Sequence, residues 1–306
     1  MKWPSATEAL RSRVAAALAG AALALASAGV AARIVEEQAD VPVMVTDSFG
    51  KVIEQPIRLT VFRDDAAAAP RPLIVINHGR AVEPQQRAAL GRSRYPEISQ
   101  WFVRRGFVVA LPTRVGYGVS GGEDVEDSGA CANKRYSPGF DAAAQETLAV
   151  IEFMRRRADV LPTRTVVLGQ SYGGTTAVTV AALNPPGVAA AINFAGGGGG
   201  NPDTRPASPC GPNRLESLFA DYGSRARVPM LWVYAENDKF FGATFPRQWF
   251  AAFRQAGGQG ELLQVPPVGA DGHTLFARFP AQWQPQVAEF LVRQGFEMKG
   301  SEVIKP

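Results

Sequence analysis

Gly169-Gln170-Ser171-Tyr172-Gly173-Gly174 lies between an apolar β-branched run, Thr165-Val166-Val167-Leu168, and a run of small residues from Thr175 to Leu183. A chain that passes from strand to helix in so few residues must turn sharply, and this limits the layouts open to it. The turn forces the central serine into a strained backbone conformation with its hydroxyl exposed. The flanking glycines follow from the same turn, because a Cβ at either position would collide with the neighbouring strand or helix. The hydroxyl then stands at the carboxyl edge of a sheet, above a helix N-terminus that favours developing negative charge. Ser171 is therefore the candidate nucleophile. A second match to the spacing, Gly118-Val119-Ser120-Gly121-Gly122, is followed by the acidic stretch Glu123 to Asp127. No strand abuts it and no helical run leaves it, so it reads as a flexible loop.

The rest of the chain supplies a sheet for that turn. Val41 to Val45 and Ile57 to Phe62 alternate in the manner of antiparallel strands. Leu73 to Asn77 is a continuous apolar run, as expected for a strand covered on both faces. Further strands are expected at Phe107 to Leu111, Thr165 to Leu168, Val188 to Phe194, Met230 to Tyr234 and Glu261 to Val265. Helices are expected at Ile98 to Arg105, Phe140 to Arg157, Thr175 to Leu183, Leu215 to Tyr222, Phe245 to Gln255 and Ala281 to Arg293. This alternation predicts an α/β architecture, a mostly parallel central sheet with helices on both faces. With 306 residues and 46% apolar content, one large core and one domain over residues 40–295 are expected. A short segment, 29–39, would precede it and a tail, 296–306, would follow. Gly116 to Pro138 and Gly196 to Asn213 have no regular pattern; each follows a strand's carboxyl end, the edge where such sheets bind ligands.

The net charge of +4 carries no basic run interleaved with aromatics, and Arg155-Arg156-Arg157 closes an expected helix, so nucleic acid is not an expected partner. Lys2, Arg11 and Arg13 precede an uncharged Ala/Leu run, Val14 to Ala26, and Ala26-Ser27-Ala28 fits a small-x-small cleavage site. Residues 1–28 thus read as a signal peptide, with Val30-Ala31-Ala32 as a second cleavage site and an uncleaved anchor as the competing reading. Cleavage would leave a periplasmic or secreted protein without stable membrane insertion. Cys131 and Cys210 are the only two cysteines, and export makes a disulfide between them the simplest expectation. It would bridge the two irregular segments, either shaping a pocket above Ser171 or acting as a surface staple.

A serine hydroxyl needs a base to take its proton. Only two histidines exist: His78, directly after the third strand, and His273, after the last strand. The order Ser…Asp…His selects His273. The orienting carboxylate should leave a strand between the two, and Ala235-Glu236-Asn237-Asp238-Lys239 follows Met230 to Tyr234. Asp238 is the choice and Glu236 its competitor; Asp271 is too near His273 to be the first guess. Oxyanion donors would be the backbone amides of Tyr172 and of Arg80, with His78 and Gly79 turning the chain over the pocket. Arg80 and Arg114 carry side chains suited either to a substrate carboxylate or to ordinary ion pairing.

These residues resemble the α/β-hydrolase superfamily and, within it, the dienelactone hydrolase-like branch. The resemblance rests on Ile76-Asn77-His78-Gly79, Arg114-Val115-Gly116-Tyr117-Gly118, Asp159 to Arg164 running into Gly169 to Gly174, Glu236-Asn237-Asp238 and Gly272-His273, over about residues 40–295. It implies an α/β-hydrolase fold and hydrolysis through Ser171, His273 and Asp238. Dienelactone hydrolases proper use a cysteine where this chain has Ser171, which points to a serine carboxylesterase rather than a lactone hydrolase. Ser-Tyr-Gly-Gly also resembles prolyl oligopeptidase-type peptidases, whose propeller domain has no room here. The expectation is an exported serine hydrolase that cleaves small-molecule esters through an acyl-enzyme, without metal or cofactor. The alternatives are a peptidase or amidase with the same triad and a non-catalytic binding protein on the same fold. Oligomeric state is left open.

Overall fold

The computed structural model describes residues 32–300. The expected signal peptide, 1–28, and residues 301–306 of the expected tail lie outside the described residues. Strands β1 (Ile34–Thr46) and β2 (Val52–Asp64) form an antiparallel hairpin in which Thr46 faces Val52 and Ile34 faces Asp64. Along β1, Val41, Val43 and Val45 are buried while the residues between them are exposed, the signature of a strand covered on one face. After the hairpin come β3 (Arg71–Asn77), the short helix α1 (Pro84–Ala88), α2 (Pro96–Arg104) and β4 (Val108–Thr113). The chain continues through α3 (Tyr136–Arg155), β5 (Val160–Gln170), α4 (Tyr172–Ala182), β6 (Val188–Phe194) and α5 (Pro212–Arg225). It closes with β7 (Met230–Ala235), α6 (Thr244–Gln255), β8 (Gly260–Val265), the one-turn helix α7 (Leu275–Arg278) and α8 (Gln284–Arg293).

The eight strands form one sheet in the order β1-β2-β4-β3-β5-β6-β7-β8. β2 runs against both its neighbours, and β4 through β8 are mutually parallel. Continuous apolar runs suit this arrangement because successive side chains point to opposite faces. Leu73 and Val75 of β3 enter one core with α3, α4, α5 and α6; Ile74 and Ile76 enter the other with α2, α7 and α8. Each core is anchored by a buried tryptophan. Trp232 meets Phe219, Phe250 and Phe253 with ring centroids 4.9, 5.4 and 5.3 Å away. Trp283 sits 5.0 Å from Phe194 and 5.6 Å from Trp101. Burying each such side chain stabilises the fold by about 2–3 kcal/mol.

The sequence reading and the structure part at identifiable residues. β5 begins at Val160, not Thr165: Arg71 pairs with Val160 and Leu73 with Thr165, so Pro162, which cannot donate to a ladder, falls in a bulge. The last helix starts at Gln284 after a 3-10 turn, Pro280–Gln282, because the missing amide of Pro285 is tolerated only in a first turn. The folded unit is wider than 40–295, since β1 takes in residues 34–39 and Phe296 and Met298 are buried in the core. The Ser120 segment, expected as a flexible loop, is pinned instead. Ser120 Oγ accepts the Arg58 amide at 2.9 Å and donates to the Thr113 carbonyl at 2.5 Å, which ties it to β2 and β4. No helix among the described residues is long and apolar enough to cross a membrane.

Candidate active site

Ser171 joins β5 to α4 with φ 57° and ψ −122°, a backbone conformation that L residues rarely adopt. The surrounding structure imposes it. The Ser171 amide donates to the Phe194 carbonyl at 2.8 Å, and the Ser171 carbonyl accepts the Gly174 amide at 2.8 Å. A Cβ on Gly169 would overlap the Gly173 carbonyl, and one on Gly173 would overlap the Asn77 and His78 carbonyls at the end of β3. Both glycines are therefore needed to bring strand, helix and the loop after β3 together.

The structure brings Ser171, His273 and Asp238 into one hydrogen-bonded chain. His273 Nε2 lies 2.9 Å from Ser171 Oγ, and His273 Nδ1 lies 2.9 Å from Asp238 Oδ2. All three side chains are buried or nearly so, which strengthens each link by excluding water. Asp238 Oδ1 also accepts the amides of Phe240 at 2.7 Å and Phe241 at 3.0 Å, so the carboxylate is fixed from two sides. Glu236 points outward toward Arg247, 3.4 Å away, and takes no part in this chain.

Several residues outside the hydrogen-bonded chain, among them Asp271, which the sequence offered only as a distant candidate for the carboxylate, hold this geometry. Asn237 donates to the carbonyls of Val268 and Gly269 and accepts the Val268 amide at 3.0 Å. Asp271 Oδ1 accepts the amides of Lys239 at 3.0 Å and His273 at 2.9 Å. These contacts join the loop after β7, which carries Asp238, to the loop after β8, which carries His273. Gln170 Nε2 donates to the His273 carbonyl at 3.1 Å, and the Phe240 ring stacks on the imidazole at 3.9 Å.

The expected oxyanion donors lie at the same place. Tyr172 and Arg80 both line the cavity that Ser171 faces, and neither backbone amide donates to any group among the described residues. The Arg80 guanidinium is engaged by Asp124, at 2.6 and 2.5 Å. For Arg114 the structure shows the ion-pairing alternative, in the interior and not at the surface. The residue lies outside the cavity and is fully buried beneath the loop after β3, so its side chain does not meet solvent. Its Nε donates to Glu126 at 2.5 Å and its Nη1 to the His78 carbonyl at 2.8 Å; Tyr117 completes the cluster by donating to Glu126. Burial and the Arg114 charge hold the His78 imidazole well below its ordinary pKa, so it is neutral.

The cavity has a volume of about 350 Å³. Its walls come from the chain after β3, from the segments after β4 and β6, and from Phe240 and Phe241; the Cys131–Cys210 disulfide links the segments after β4 and β6 with a Cα–Cα distance of 5.0 Å. The glycine run after β6 lies under aromatic rings: a Cβ on Gly198 would meet Tyr136 at 2.8 Å, and one on Gly200 would meet Phe240 at 2.8 Å. Four lining side chains are cationic, Arg80, Arg87, Lys134 and Arg205, against two anionic ones, Asp124 and Asp127. Arg80 and Arg87 both pair with Asp124, whereas Lys134 and Arg205 have no carboxylate within ion-pair distance among the described residues. Burial pushes the Lys134 pKa down. No cluster of three or more His, Cys, Asp or Glu among the described residues is arranged to hold a metal ion.

A family model for the dienelactone hydrolase family matches residues 86–263. No curated protein matches the chain by sequence. Among solved structures, the chain is similar to a putative dienelactone hydrolase from Klebsiella pneumoniae, with 16% identity, a TM-score of 0.55, and coverage of 84% of this chain and 98% of that one. It is also similar to an esterase of Pyrococcus furiosus, with 16% identity, a TM-score of 0.55 and coverage of 85% and 91%. An acetyl xylan esterase from Paenibacillus sp. R4 aligns with 15% identity, a TM-score of 0.56 and coverage of 85% and 89%. At these identities the likeness is one of fold.

Proposed function

The chain belongs to the dienelactone hydrolase family and is a serine hydrolase of carboxylic esters, and from that premise we propose that it is an exported esterase acting through Ser171, His273 and Asp238. The single observation that carries the assignment of roles is the unbroken run of hydrogen bonds from Asp238 through His273 to Ser171 Oγ. His273 takes the Ser171 proton as the hydroxyl attacks the ester carbonyl. Asp238 holds the imidazole in the tautomer with its proton on Nδ1 and stabilises the imidazolium that forms. The amides of Tyr172 and Arg80 receive the oxyanion; one such donor lowers the barrier by about 3–4 kcal/mol. His273 then protonates the departing alcohol, and water attacking the acyl-serine by the reverse sequence regenerates the hydroxyl.

The cavity volume lies at the small end of ligand pockets, which favours a compact ester. The surplus of cationic over anionic lining groups favours an ester that carries an acidic group, with Lys134 and Arg205 as its counter-charges. The disulfide fits an oxidising compartment, in keeping with a cleaved leader at residues 1–28. Ser171→Ala should abolish hydrolysis of p-nitrophenyl esters and labelling by a fluorophosphonate; a variant that is still labelled would refute the role given to Ser171. Turnover of p-nitroanilides at rates rivalling the matching esters would instead favour the amidase reading.

A further inference from the structure

His78 is absent from the chemistry above, yet it occupies the position best placed to aim one of the two oxyanion donors. Its Nδ1 lies 2.7 Å from the Gly79 carbonyl oxygen, and its Nε2 lies 3.2 Å from the backbone nitrogen of Arg114. The Arg114 amide can only donate, so Nε2 accepts and the ring proton sits on Nδ1, donating to Gly79. The carbonyl that receives it belongs to the peptide unit whose other end is the Arg80 N–H. A peptide bond is planar and trans, so its C=O and N–H point in opposite directions. Holding the Gly79 carbonyl down against His78 therefore turns the Arg80 N–H up, toward the cavity. The segment lies against the nucleophile: a Cβ on Gly79 would stand 3.1 Å from Ser171 Cβ. Beneath it, Arg114 grips the carbonyl of His78 itself, and the Tyr117 ring meets the imidazole edge-on at 4.6 Å.

We propose that His78, seated on Arg114, is the positioning residue of the oxyanion hole, orienting the Gly79–Arg80 peptide so that its N–H meets the tetrahedral intermediate. The inference rests on the esterase reading above and names a residue that touches neither substrate nor Ser171. A misaimed donor should act on the transition state and leave ground-state binding alone, so the effect falls on kcat and not on KM.

Two polar replacements separate this role from general support of the fold. The amide nitrogen of Asn can stand where Nδ1 stands and donate to Gly79; the longer Gln places its amide where Nε2 stands and serves Arg114 instead. Kinetics on a p-nitrophenyl ester, together with inhibition by an alkyl trifluoromethyl ketone that forms an oxyanion on Ser171, should rank wild type and His78→Asn well above His78→Gln. His78→Leu should lose about 10²-fold in kcat, as when an oxyanion donor is removed, with KM within a factor of three and inhibitor affinity weakened in parallel. Thermal midpoints establish that each variant is folded; should His78→Leu fail to fold, the contrast between Asn and Gln decides. Equal kcat for Asn and Gln, or a loss seen in KM with inhibitor affinity unchanged, would overturn the proposal. A wild-type protein that neither turns over esters nor binds the ketone would overturn the esterase reading and this inference with it.

Discussion

Replacing Cys131 and Cys210 together by serine opens a closed loop that spans 79 residues of sequence. In the chain-entropy description, a loop of that length removes about 15 cal/mol/K from the unfolded ensemble, or about 4.5 kcal/mol at 25 °C. A domain of this size loses about 2 °C of midpoint per kcal/mol, so the double variant should unfold about 9 °C below the oxidised wild type. Calorimetry of wild type, wild type with reductant and the double variant tests the number, since the last two should coincide. The same bridge joins two walls of the cavity, so KM for a p-nitrophenyl ester should rise while kcat, which the proposed mechanism assigns to groups on the loops after β3, β5, β7 and β8, stays within a few-fold. A midpoint within 2 °C of wild type would refute the entropic reasoning. An unchanged KM would reduce the bridge to a surface staple.

Two further expectations follow from charges that the fold leaves inside. Burial pushes the Glu146 carboxyl up to about 8 from its ordinary 4.5, with Val115 donating to it at 2.8 Å. The folded protein thus keeps a proton that the unfolded chain releases, and the stability this gives is complete below pH 4.5 and lost as pH rises through about 8. Glu146→Gln should therefore gain in midpoint relative to wild type between pH 5 and 8.5, and a constant difference across that range would contradict the burial argument. Arg205→Gln should raise KM several-fold for a p-nitrophenyl monoester of a dicarboxylic acid but leave the neutral ester of equal length unaffected; equal effects on the two would remove the acidic group from the proposed substrate.

The parts of the molecule that could be read in one dimension are those set by local chemistry. Val188 to Phe194 was expected as a strand and is β6 to the residue, because a seven-residue apolar run bounded by Gly187 and Ala195-Gly196 is too short for a buried helix and suits a buried strand. The convergence of Ser171, His273 and Asp238 was legible because strand order fixes which loops meet at the carboxyl edge. The burial of Arg114 was not legible for a physical reason: an arginine is buried only when a carboxylate comes to meet it, and Glu126 does so through a loop that no periodicity describes. That Asn237 and Asp271 each tie one loop to another depends on register across β7 and β8, which neither loop's own sequence reveals. Lys134 and Arg205 could have been found, since each lies within five residues of a cysteine in the pair expected to bridge the pocket.

The hairpin settles which way the enzyme would face if held by its amino end. Ile34 pairs with Asp64 at one extreme of the sheet, while twelve residues later Thr46 and Val52 reach the other, beside the loops that follow the parallel strands. At about 3.4 Å per residue, that is about 40 Å of rigid ladder between the chain's entry and the cavity end. A bead, a fusion partner or a lipid surface attached ahead of residue 32 would hold the molecule by its base, with the mouth turned outward to the solution from which esters arrive.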